Sequence, residues 1–400
     1  MRILYVADGR SPIARSWIKA FLKAGDEVHL ASTHRCQALP GLASHTFVPV
    51  AFSWLKSAGG SRTASATSIG LRTRLRHYVG PLTVPWAARR LTRLMRGIQP
   101  ELVHALRIPF EGMLATASEP LAPLVVSTWG NDFTLHAPGS FLMRRWTRMT
   151  LAAAAGLHAD CQRDLRIAQA WGFKENQPAA VLPGNGGLEN VFIQPQAPQL
   201  PPDSEVADLF EFIGPDRPLV VNPRGFRAYV RNDTFFEAIP LVVARRPEVM
   251  FACPVMAGEP VAERWLADLA VADNVKLLGR LSSKEMSALL RRTQLTVSPS
   301  EHDGTPNSML EAMASGAVPV VGDLESIREW IVDGRNGRLI DPADPADLAE
   351  AILEALESSS WLEHAQVLNR KIIEERATRK VVYQSARELY QQVRQRPPVL

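Results

Sequence analysis

Two carboxylates eight residues apart, Asp303 and Glu311, lie in the stretch of sequence with the strongest chemical signal. This stretch, SPSEHDGTPNSMLEAMASGAVPVVG at 298–322, predicts a buried strand, a glycine-containing loop, a helix and another strand. The N–H groups of a helix's first turn lack intrahelical partners and favour an anion, so the loop and helix start predict a diphosphate site. The residues that would form this site are Gly304, Thr305, Pro306, Asn307 and Ser308.

The two acids would then lie beside hydroxyl groups of the same ligand. A carboxylate accepts hydrogen bonds from two adjacent hydroxyls, as a ribose offers, and Glu311 lies about one turn into the helix. Asp303, in the loop before the helix, could reach the hydroxyls of a transferred sugar. We expect Thr305 to cap the helix, Pro306 to take its first position and Gly316 to end it. The spacing alone is explained equally well if Asp303 and Glu311 are solvated acids of an ordinary α/β unit.

Three arginines precede another predicted helix, in NPRGFRAYVRNDTFFEAI at 222–239. Arg224, Arg227 and Arg231 carry guanidinium groups, which bind phosphate in a bidentate manner. Fixed cations at a diphosphate would also stabilise the negative charge that develops on it as a leaving group. A charge run in a loop is often merely solvated, and that alternative remains open.

Parallel strands are the elements that would position these loops. The first fifty residues predict a strand at Ile3–Ala7, a helix at Ser16–Ala24 ended by Gly25, and a strand at Val28–Ala31. This βαβ start predicts an α/β fold, in which ligands bind at the loops that follow the strands. Further buried strands are predicted at Leu102–Leu106, Leu124–Ser127, Leu219–Asn222, Val249–Val255, Val275–Leu278, Leu295–Ser298 and Val318–Val321.

The chain is too long for one hydrophobic core, and the proline-rich QPQAPQLPPDS at 194–204 indicates a linker. We therefore expect one α/β domain at 1–195 and a second at 206–375. The segment 376–400 contains a predicted helix, Arg379–Arg394, with no strand after it, and this helix is free to cross back to the first domain.

The stretch 298–322 resembles the E-x7-E region of retaining glycosyltransferases of family 4, and 331–352, IVDGRNGRLIDPADPADLAEAI, resembles its continuation. That family has the GT-B fold, two Rossmann-like parallel-sheet domains facing each other across a cleft. The resemblance implies a Rossmann-like acceptor-side domain at 1–195 and a Rossmann-like nucleotide-sugar donor-binding domain at 206–375. Here the pattern is Asp303-x7-Glu311, with Asp in place of the first Glu. The resemblance implies that Glu311 binds the nucleotide ribose and Asp303 the donor-sugar hydroxyls. It also implies that Arg224 and Arg231 neutralise the donor diphosphate, although the family's second cation is usually a lysine.

The turn in VKLLGRLSSKEM, residues 275–286, resembles the family's turn beside the nucleotide base. The resemblance implies that backbone groups of Leu278 and Gly279 bind the edge of the base. A turn of this kind is also common in other α/β proteins.

The N-terminal half matches the family less closely. The loop at 8–16 keeps only Gly9 of the family's glycine-rich loop over the diphosphate, and His104 matches the first His of an H-x-H strand end. In STWGNDF at 127–133, Trp129 replaces the His that the family uses for donor-sugar contacts and catalysis, whereas Gly130 and Asp132 are kept. Asp132 is a candidate catalytic residue that would contact the acceptor, or else it caps the following segment; both interpretations stay open.

No metal or cofactor is expected, because the nucleotide sugar would be a substrate. No Asp lies two residues from another Asp, so the D-x-D metal pair of the other main glycosyltransferase fold is missing. The three cysteines, Cys36, Cys161 and Cys253, show no metal-ligand spacing and favour a reducing compartment. The sequence also lacks H-E-x-x-H, P-loop, G-x-G-x-x-G and G-x-S-x-G motifs.

Charge is distributed unevenly along the chain. Residues 1–200 hold 22 Lys/Arg against 11 Asp/Glu, a net +11, whereas 201–400 hold 23 against 30, a net −7. The basic segment 71–96 interleaves arginines with Leu, Tyr, Trp and Met, and its second helical piece is predicted at Trp86–Arg96. One interpretation is a surface helix whose arginines extend over apolar neighbours; the other is a helix lying on an anionic membrane near a lipid-linked acceptor. Nucleic-acid binding is not expected, because no recognition module accompanies the charge.

The compartment is expected to be the cytoplasm. The first ten residues contain an apolar run too short for a signal sequence, and no stretch approaches about 18 uncharged apolar residues. Peripheral contact with the inner membrane surface through 71–96 is the alternative that the basic segment leaves open.

Together these features predict a metal-independent enzyme that transfers a sugar from a nucleotide-diphosphate sugar to a glycan or lipid-linked acceptor, as in cell-envelope polysaccharide synthesis. Retention at the anomeric carbon is implied by the family resemblance. Two alternatives remain: a nucleotide-sugar epimerase on the same fold, and a non-catalytic nucleotide-sugar-binding protein. The replaced histidine positions, Leu106 and Trp129, count against the epimerase, and the missing histidine keeps the non-catalytic alternative open.

Overall fold

The computed structural model describes residues 1–53, 76–201, 203–227 and 229–395. The chain divides into two compact units, Met1–Gly187 together with Arg379–Leu400, and Leu188–Thr378, here termed unit 1 and unit 2. The boundary after Gly187 lies ahead of the sequence-based boundary at residue 195, because the stretch that follows packs within unit 2.

Unit 1 is built on a parallel sheet. In the described residues this sheet has seven strands in the order β3-β2-β1-β4-β5-β6-β7. All neighbouring strands run parallel, and most strand residues are buried because helices cover both faces of such a sheet. The strands are β1 (Arg2–Ala7), β2 (Glu27–Ser32), β3 (Ser44–Phe47), β4 (Leu102–Ala105), β5 (Leu124–Thr128), β6 (Gly156–Ala159) and β7 (Ala179–Val181).

Unit 2 repeats this architecture with its own core. Its sheet has six parallel strands, again counted over the described part of the chain, in the order β10-β9-β8-β11-β12-β13. The two parallel sheets confirm the α/β prediction. The strands are β8 (Leu219–Val221), β9 (Met250–Pro254), β10 (Val275–Leu278), β11 (Leu295–Ser298), β12 (Val318–Gly322) and β13 (Arg338–Ile340).

The α-helices alternate with these strands. Unit 1 contains α1 (Pro12–Lys23), α2 (Val84–Ile98), α3 (Met113–Ala117), α4 (Phe141–Ala153) and α5 (Gln162–Ala170). Unit 2 contains α6 (Asn190–Ile193), α7 (Glu205–Ile213), α8 (Asn232–Arg245), α9 (Pro260–Asp268), α10 (Ser283–Arg292), α11 (Asn307–Ser315), α12 (Pro345–Glu357) and α13 (Ser359–Arg376). The last helix, α14 (Arg379–Gln395), returns to unit 1.

Helix α1 begins four residues earlier than the sequence predicts. The Ser11 side chain accepts a hydrogen bond from the Ala14 N–H, and Pro12 occupies the first turn, where its missing N–H costs nothing. Gly25 follows the helix with a φ of 82°, which a residue with a Cβ rarely adopts. The proline that looked like part of a loop is therefore a helix-start signal.

Helix α14 is part of the core of unit 1. Val382, Leu389, Tyr390 and Val393 are buried in one cluster with residues of β1 and α1. An ion pair of 2.7 Å joins Arg387 to Asp26, which also binds the N-terminal amino group at 2.8 Å. Unit 1 therefore depends on residues that follow unit 2 in the sequence.

A buried polar chain links Tyr390 to the sheet. The Tyr390 hydroxyl lies 2.6 Å from Nδ1 of His104, whose Nε2 is 2.8 Å from the Ser127 hydroxyl, which in turn is 2.8 Å from Nδ1 of His158. Burial lowers the pKa of His104 well below its usual value and that of His158 to about 4, so both imidazoles are neutral near pH 7. His104 is consequently a core residue, although its position in the sequence matches the first histidine of the H-x-H strand end in the family that the sequence resembles.

Candidate functional site

The loop after β8 is held in shape by two asparagines. Asn222 donates through Nδ2 to Oδ1 of Asn232 at 3.1 Å, and Asn232 donates to the carbonyl of Gly225 at 3.1 Å. Gly225 has a φ of 61°, and a Cβ there would lie 3.4 Å from the Val255 side chain. The Arg224 N–H donates to Oδ1 of Asn222 at 3.1 Å, so the loop presents Arg224 in a defined position.

Arg224 meets the loop before α11. Its Nη2 lies 2.6 Å from Oδ2 of Asp303, and its Nη1 donates to the Ser308 hydroxyl at 3.3 Å. The side chains of Arg224 and Asp303 are only 10% and 14% exposed, so this ion pair is largely shielded from water. The Nε of Arg224 is buried and has no hydrogen-bond partner among the described residues, which leaves one donor for a ligand. The structure thus brings together three residues that the sequence assigned to one site.

The start of α11 differs in detail from the prediction. Pro306 is the N-cap residue and makes no side-chain cap, and Asn307 is the first helical residue. Thr305 does not cap the helix; its hydroxyl accepts a hydrogen bond from Nε1 of Trp330 at 3.1 Å. Gly316 ends the helix with a φ of 96°, as expected for a left-handed C-cap. No side chain caps the helix start, although the Met309 N–H donates to the Pro306 carbonyl at 3.1 Å. The N–H groups of Asn307 and Ser308 are therefore the candidates for binding an anion.

Glu311 lies on the polar side of α11, opposite the buried Met309, Leu310 and Met313. Burial and the nearby Glu189 carboxylate raise the pKa of Glu311 to about 8. Most of this carboxyl is therefore protonated at pH 7. Burying a carboxyl costs folding free energy, and groups with such a raised pKa are often found at functional sites.

Arg231 lies near the same loop but already has two carboxylate partners. It pairs with Asp233 at 2.8 Å and with Glu301 at 2.9 Å. Sequence reasoning did not include either acid, although both lie within three residues of a predicted site residue. These two carboxylates offset the positive charge that Arg231 could offer to a diphosphate.

The turn after β10 has its backbone groups engaged within unit 2. The Gly279 N–H donates to Oε2 of Glu205 at 2.7 Å, and the Gly279 carbonyl accepts from Val255 at 3.0 Å. The Leu278 carbonyl accepts from the N–H groups of both Met256 and Ala257, each at 3.1 Å. The Gly279 N–H and the Leu278 carbonyl are therefore engaged in this structure, whereas the Gly279 carbonyl retains a second lone pair.

In unit 1, Gly9 occupies a tight position after β1. A Cβ at Gly9 would lie 2.4 Å from the Cys36 sulfur and 2.8 Å from the Ser32 hydroxyl, so glycine is required sterically. The Gly9 N–H donates to that hydroxyl at 3.1 Å, and Arg15 donates to the Gly9 carbonyl at 3.1 Å. These contacts fix the loop itself.

Asp132 joins the loops that follow β4 and β5. Its carboxylate accepts from Nε of Arg107 at 2.7 Å and from the N–H of Trp129 at 3.2 Å, and its side chain is fully buried. Asp132 does not cap the following segment, whose N-cap residue is Asn131 without a side-chain cap. A contact with the acceptor, which would require the bonds of Asp132 to open, stays a prediction. In this structure Asp132 positions Arg107 and Trp129.

Arg107 and Trp129 line a cavity of about 190 Å³ beyond the ends of β1, β4 and β5. The same cavity is lined by Arg76 and Glu111, which sequence reasoning missed. Phe110, also in the lining, has a φ of 69°, a strained value of the kind that concentrates at functional sites. In the sequence, Glu111 is the one acid in the otherwise apolar stretch IPFEGM, which follows a predicted strand. That isolated charge was the signal that could have identified it.

One group of side chains could share a metal ion within the described ranges: Asp160, Cys161 and Asp164. Arg163 already pairs with Asp164 at 2.8 Å, and Asp160 accepts the Gly130 N–H at 3.2 Å. Burial raises the pKa of the Cys161 thiol, which opposes the thiolate form that a metal requires. We therefore assign no metal to this cluster.

The basic segment is only partly described, since 71–75 lie outside the described residues. Helix α2 buries Val84, Leu91 and Met95 against the core of unit 1. Its arginines are exposed, and so are three large apolar side chains at its start, Tyr78, Leu82 and Trp86, each more than 60% exposed. Among the described helices, none combines the length and the apolarity that a membrane crossing requires.

Comparison with protein families matches both units. Residues 2–160 match a family described as glycosyl transferase 4-like, and 224–358 match the family glycosyl transferases group 1. The second match includes Arg224, Arg231, Asp303 and Glu311. The first match includes Gly9, Asp132 and the cavity residue Glu111.

Among curated relatives, glycogen synthase from Mycobacterium tuberculosis is 32% identical over 106 residues, which is 26% of this chain and 26% of that protein. This chain therefore aligns with only about a quarter of that relative.

Solved structures extend the likeness in fold to nearly the whole chain. Sucrose-phosphate synthase from Thermosynechococcus elongatus superposes with a TM-score of 0.73 at 14% identity, covering 98% of this chain and 99% of that one. HepE from Anabaena, solved in complex with UDP, gives 0.67 at 15% identity over 97% and 99%. The two glycosyl transferase family matches thus fall one in each unit, and the chain has the GT-B fold.

Proposed function

We propose that this protein is a glycosyltransferase that moves a sugar from a nucleotide-diphosphate sugar to a hydroxyl group of a glycan or lipid-linked acceptor. The observation that carries the proposal is the grouping of Arg224, Asp303 and Ser308 at the uncapped start of α11, with Glu311 one turn further along. The two family matches support it, and so does the structural neighbour HepE, which has been solved with UDP and with UDP-glucose.

Donor binding would rearrange the pair formed by Arg224 and Asp303. The diphosphate would lie against the first-turn N–H groups of α11 and take hydrogen bonds from Arg224, including its free Nε. Asp303 would then be released to accept hydrogen bonds from the donor sugar, while Glu311 binds the ribose diol. Arg231 would add positive charge, weakened by Asp233 and Glu301.

The chemistry we propose is a front-side displacement with retention and without a metal. The bond from the anomeric carbon to the diphosphate oxygen breaks, and the bond to the acceptor oxygen forms on the same face of the sugar. The acceptor's proton passes to the departing diphosphate oxygen, so the reaction needs no protein base. Arg224 and the α11 N-terminus would stabilise the charge on the leaving group.

The first experiment is a thermal-shift panel with UDP, GDP, ADP, TDP and CMP on the wild type, on Glu311→Ala and on the exposed control Glu363→Ala. A ligand at 100 times its dissociation constant stabilises by about 2.7 kcal/mol and raises the melting temperature by roughly 2 °C or more. We expect one nucleoside diphosphate to stabilise the wild type and the control but not Glu311→Ala. The absence of a shift with every nucleotide would refute the donor site.

The matching nucleotide sugar then tests turnover. We expect nucleotide release that EDTA does not reduce and a product whose anomeric configuration, measured by NMR, matches that of the donor. Inversion or a metal requirement would contradict the mechanism. If the nucleotide sugar binds but no nucleotide is released with any acceptor tried, the result would favour a non-catalytic nucleotide-sugar-binding protein.

Glu311 gives donor binding a specific pH dependence. Burial raises its pKa to about 8, so the carboxylate that accepts hydrogen bonds from a ribose becomes more abundant as the pH rises from 7 to 9. We expect the affinity for the nucleoside diphosphate, measured by calorimetry, to increase over this range in the wild type. In Glu311→Gln the affinity should stay constant, and an equal increase in both proteins would contradict the assignment.

We also propose that the segment 71–96 contacts an anionic membrane from the cytoplasmic side. The support is the exposed group formed by Trp86, Arg89 and Arg90 at the start of α2. Replacing both arginines with glutamine should lower partitioning onto phosphatidylglycerol vesicles about 30-fold, since each basic residue at such a surface contributes about 1 kcal/mol.

The matched control is the pair Arg264→Gln and Lys284→Gln, which removes the same charge from exposed positions in unit 2. This control should partition like the wild type, and phosphatidylcholine vesicles should bind neither protein. Equal losses in both double variants would show that net charge, and not this surface, determines partitioning.

A further inference from the structure

The cavity in unit 1 is assembled from four separate parts of the chain. Asp8 follows β1, Arg76 precedes α2, Arg107 and Glu111 follow β4, and Trp129 follows β5. Its volume of about 190 Å³ is below the range of drug-sized ligand sites and suits a single small polyol. The lining is mixed, with charged groups facing the rings of Phe110 and Trp129.

Most charges of the cavity are already balanced. Arg107 pairs with Asp132 at 2.7 Å, and Asp8 pairs with Arg10 at 2.9 Å. The imidazoles of His77 and His136 are 3.1 Å apart, and burial lowers the pKa of both, that of His136 to about 2. Both histidines are therefore neutral near pH 7, so these groups leave the cavity without a net charge of their own.

The positive charge of Arg76 is not balanced in this way. Its guanidinium lies over the Phe110 ring at 4.5 Å, and among the described residues no carboxylate is within ion-pair distance of it. Its Nε is buried and has no hydrogen-bond partner in the described part of the chain. The neighbouring stretch 54–75 contains no Asp or Glu that could neutralise it. A largely buried cation with a buried unpartnered donor is suited to binding an anion.

Glu111 is the nearby group that can adjust to such a ligand. It is 4% exposed, and the Thr33 hydroxyl donates to its Oε1 at 2.6 Å. Burial raises the pKa of Glu111 to about 7, against the opposing effect of Arg76 and Arg107, so the carboxyl changes its charge near neutral pH. Uncharged, it avoids repelling an anion and can share hydrogen bonds with an adjacent hydroxyl.

We propose that this cavity binds the anionic group of a small polyol acceptor, a phosphate or a carboxylate, with Arg76 as its ligand and Glu111 beside a neighbouring hydroxyl. Its role as the acceptor site rests on the proposed glycosyl transfer, whereas binding of the anion does not. Binding can accordingly be measured with no donor present.

The test measures binding of glucose, glucose 6-phosphate and glucuronate by calorimetry to the wild type, Arg76→Gln, Arg76→Lys and the exposed control Arg144→Gln. We expect at least one of the two anions to bind the wild type and the control about tenfold or more tightly than glucose, since a hydrogen bond to a charged group is stronger than a neutral one. This preference should vanish in Arg76→Gln and persist in part in Arg76→Lys. The stronger of the two anions identifies phosphate or carboxylate as the group recognised.

Glu111 provides a second readout. Glucuronate stays ionised between pH 6 and 8, so its affinity should fall across this range as Glu111 acquires charge, and should remain constant in Glu111→Gln. The inference would be overturned if glucose and both anions bound the wild type with equal affinity. It would also be overturned if Arg76→Gln and Arg144→Gln, with unchanged melting temperatures, showed the same preference for the anions over glucose. Nucleotide binding and transfer to a neutral acceptor would survive that outcome, whereas anion binding with no nucleotide binding would refute the glycosyltransferase proposal instead.

Discussion

Replacing Arg224 with alanine is expected to lower the rate of sugar transfer by a factor of about 10²–10³, the usual loss when one preorganised group that stabilises developing negative charge is removed. Arg224 is the cation at the uncapped start of α11 whose Nε is free for a ligand. The measurement is kcat/KM for nucleotide release from the donor that the thermal-shift panel identifies, together with the melting temperature of each variant.

The neighbour Arg227 is the matched control, because it lies in the same loop, is exposed and carries the same charge. Arg227→Ala should retain most of the activity. Arg224→Ala also leaves the Asp303 carboxylate largely buried without its ionic partner, which destabilises a fold. Adding Asp303→Asn should recover stability but not activity, and recovery of activity would show that Arg224 acts only by holding the loop. Arg224→Lys should fall between the wild type and alanine, since it keeps the charge but loses the bidentate geometry.

Replacing Tyr390 with alanine should destabilise unit 1 by about 3–5 kcal/mol, the usual cost of removing a large aromatic side chain from a core. Tyr390 is fully buried, stacks on Phe21 with ring centroids 5.0 Å apart, and its hydroxyl lies 2.6 Å from His104. The measurement is urea denaturation followed by a spectroscopic probe, fitted as separate transitions for the two units.

Tyr390→Phe is the matched control for packing. It keeps the ring but removes the hydroxyl partner of His104 and Trp17, and we expect it to cost about 1–3 kcal/mol for the buried polar groups left without a bond. Nucleotide binding to unit 2 should persist in both variants under native conditions. Loss of nucleotide binding with unit 1 intact would contradict the assignment of this helix to unit 1.

The long apolar runs of β1, β9 and β12 were predicted from the sequence. The strands missed among those described, β3, β6, β7 and β13, have only three or four residues each, and most of them include a polar side chain. Strand β6, for example, contains His158, which is buried only because Ser127 and the Leu182 carbonyl satisfy both ring nitrogens. Such partners lie more than twenty residues away in the sequence, so no local pattern reveals them.

The grouping of side chains at the start of α11 was largely predictable because most of them are close in the sequence. Asp303, Ser308 and Glu311 lie within nine residues, and the spacing around one helix start fixes their relation. The partners that modify them are not local: Trp330 binds Thr305, and Glu189 raises the pKa of Glu311. The cavity of unit 1 was missed for the same reason, because the strand order β2-β1-β4-β5 brings Thr33, Arg76 and Glu111 together from distant parts of the chain.

The return of α14 to unit 1 has a consequence for biosynthesis. A ribosome translates the whole sequence of unit 2 before it reaches the codons for Val382, Leu389 and Tyr390, which complete the core of unit 1. Unit 1 therefore cannot fold to completion until unit 2 has been synthesised, although unit 1 begins first in the sequence. Until α14 emerges, the nascent unit 1 exposes the apolar groove that this helix fills, and it is the unit most in need of chaperone protection. A nonsense mutation late in the gene would damage the N-terminal domain.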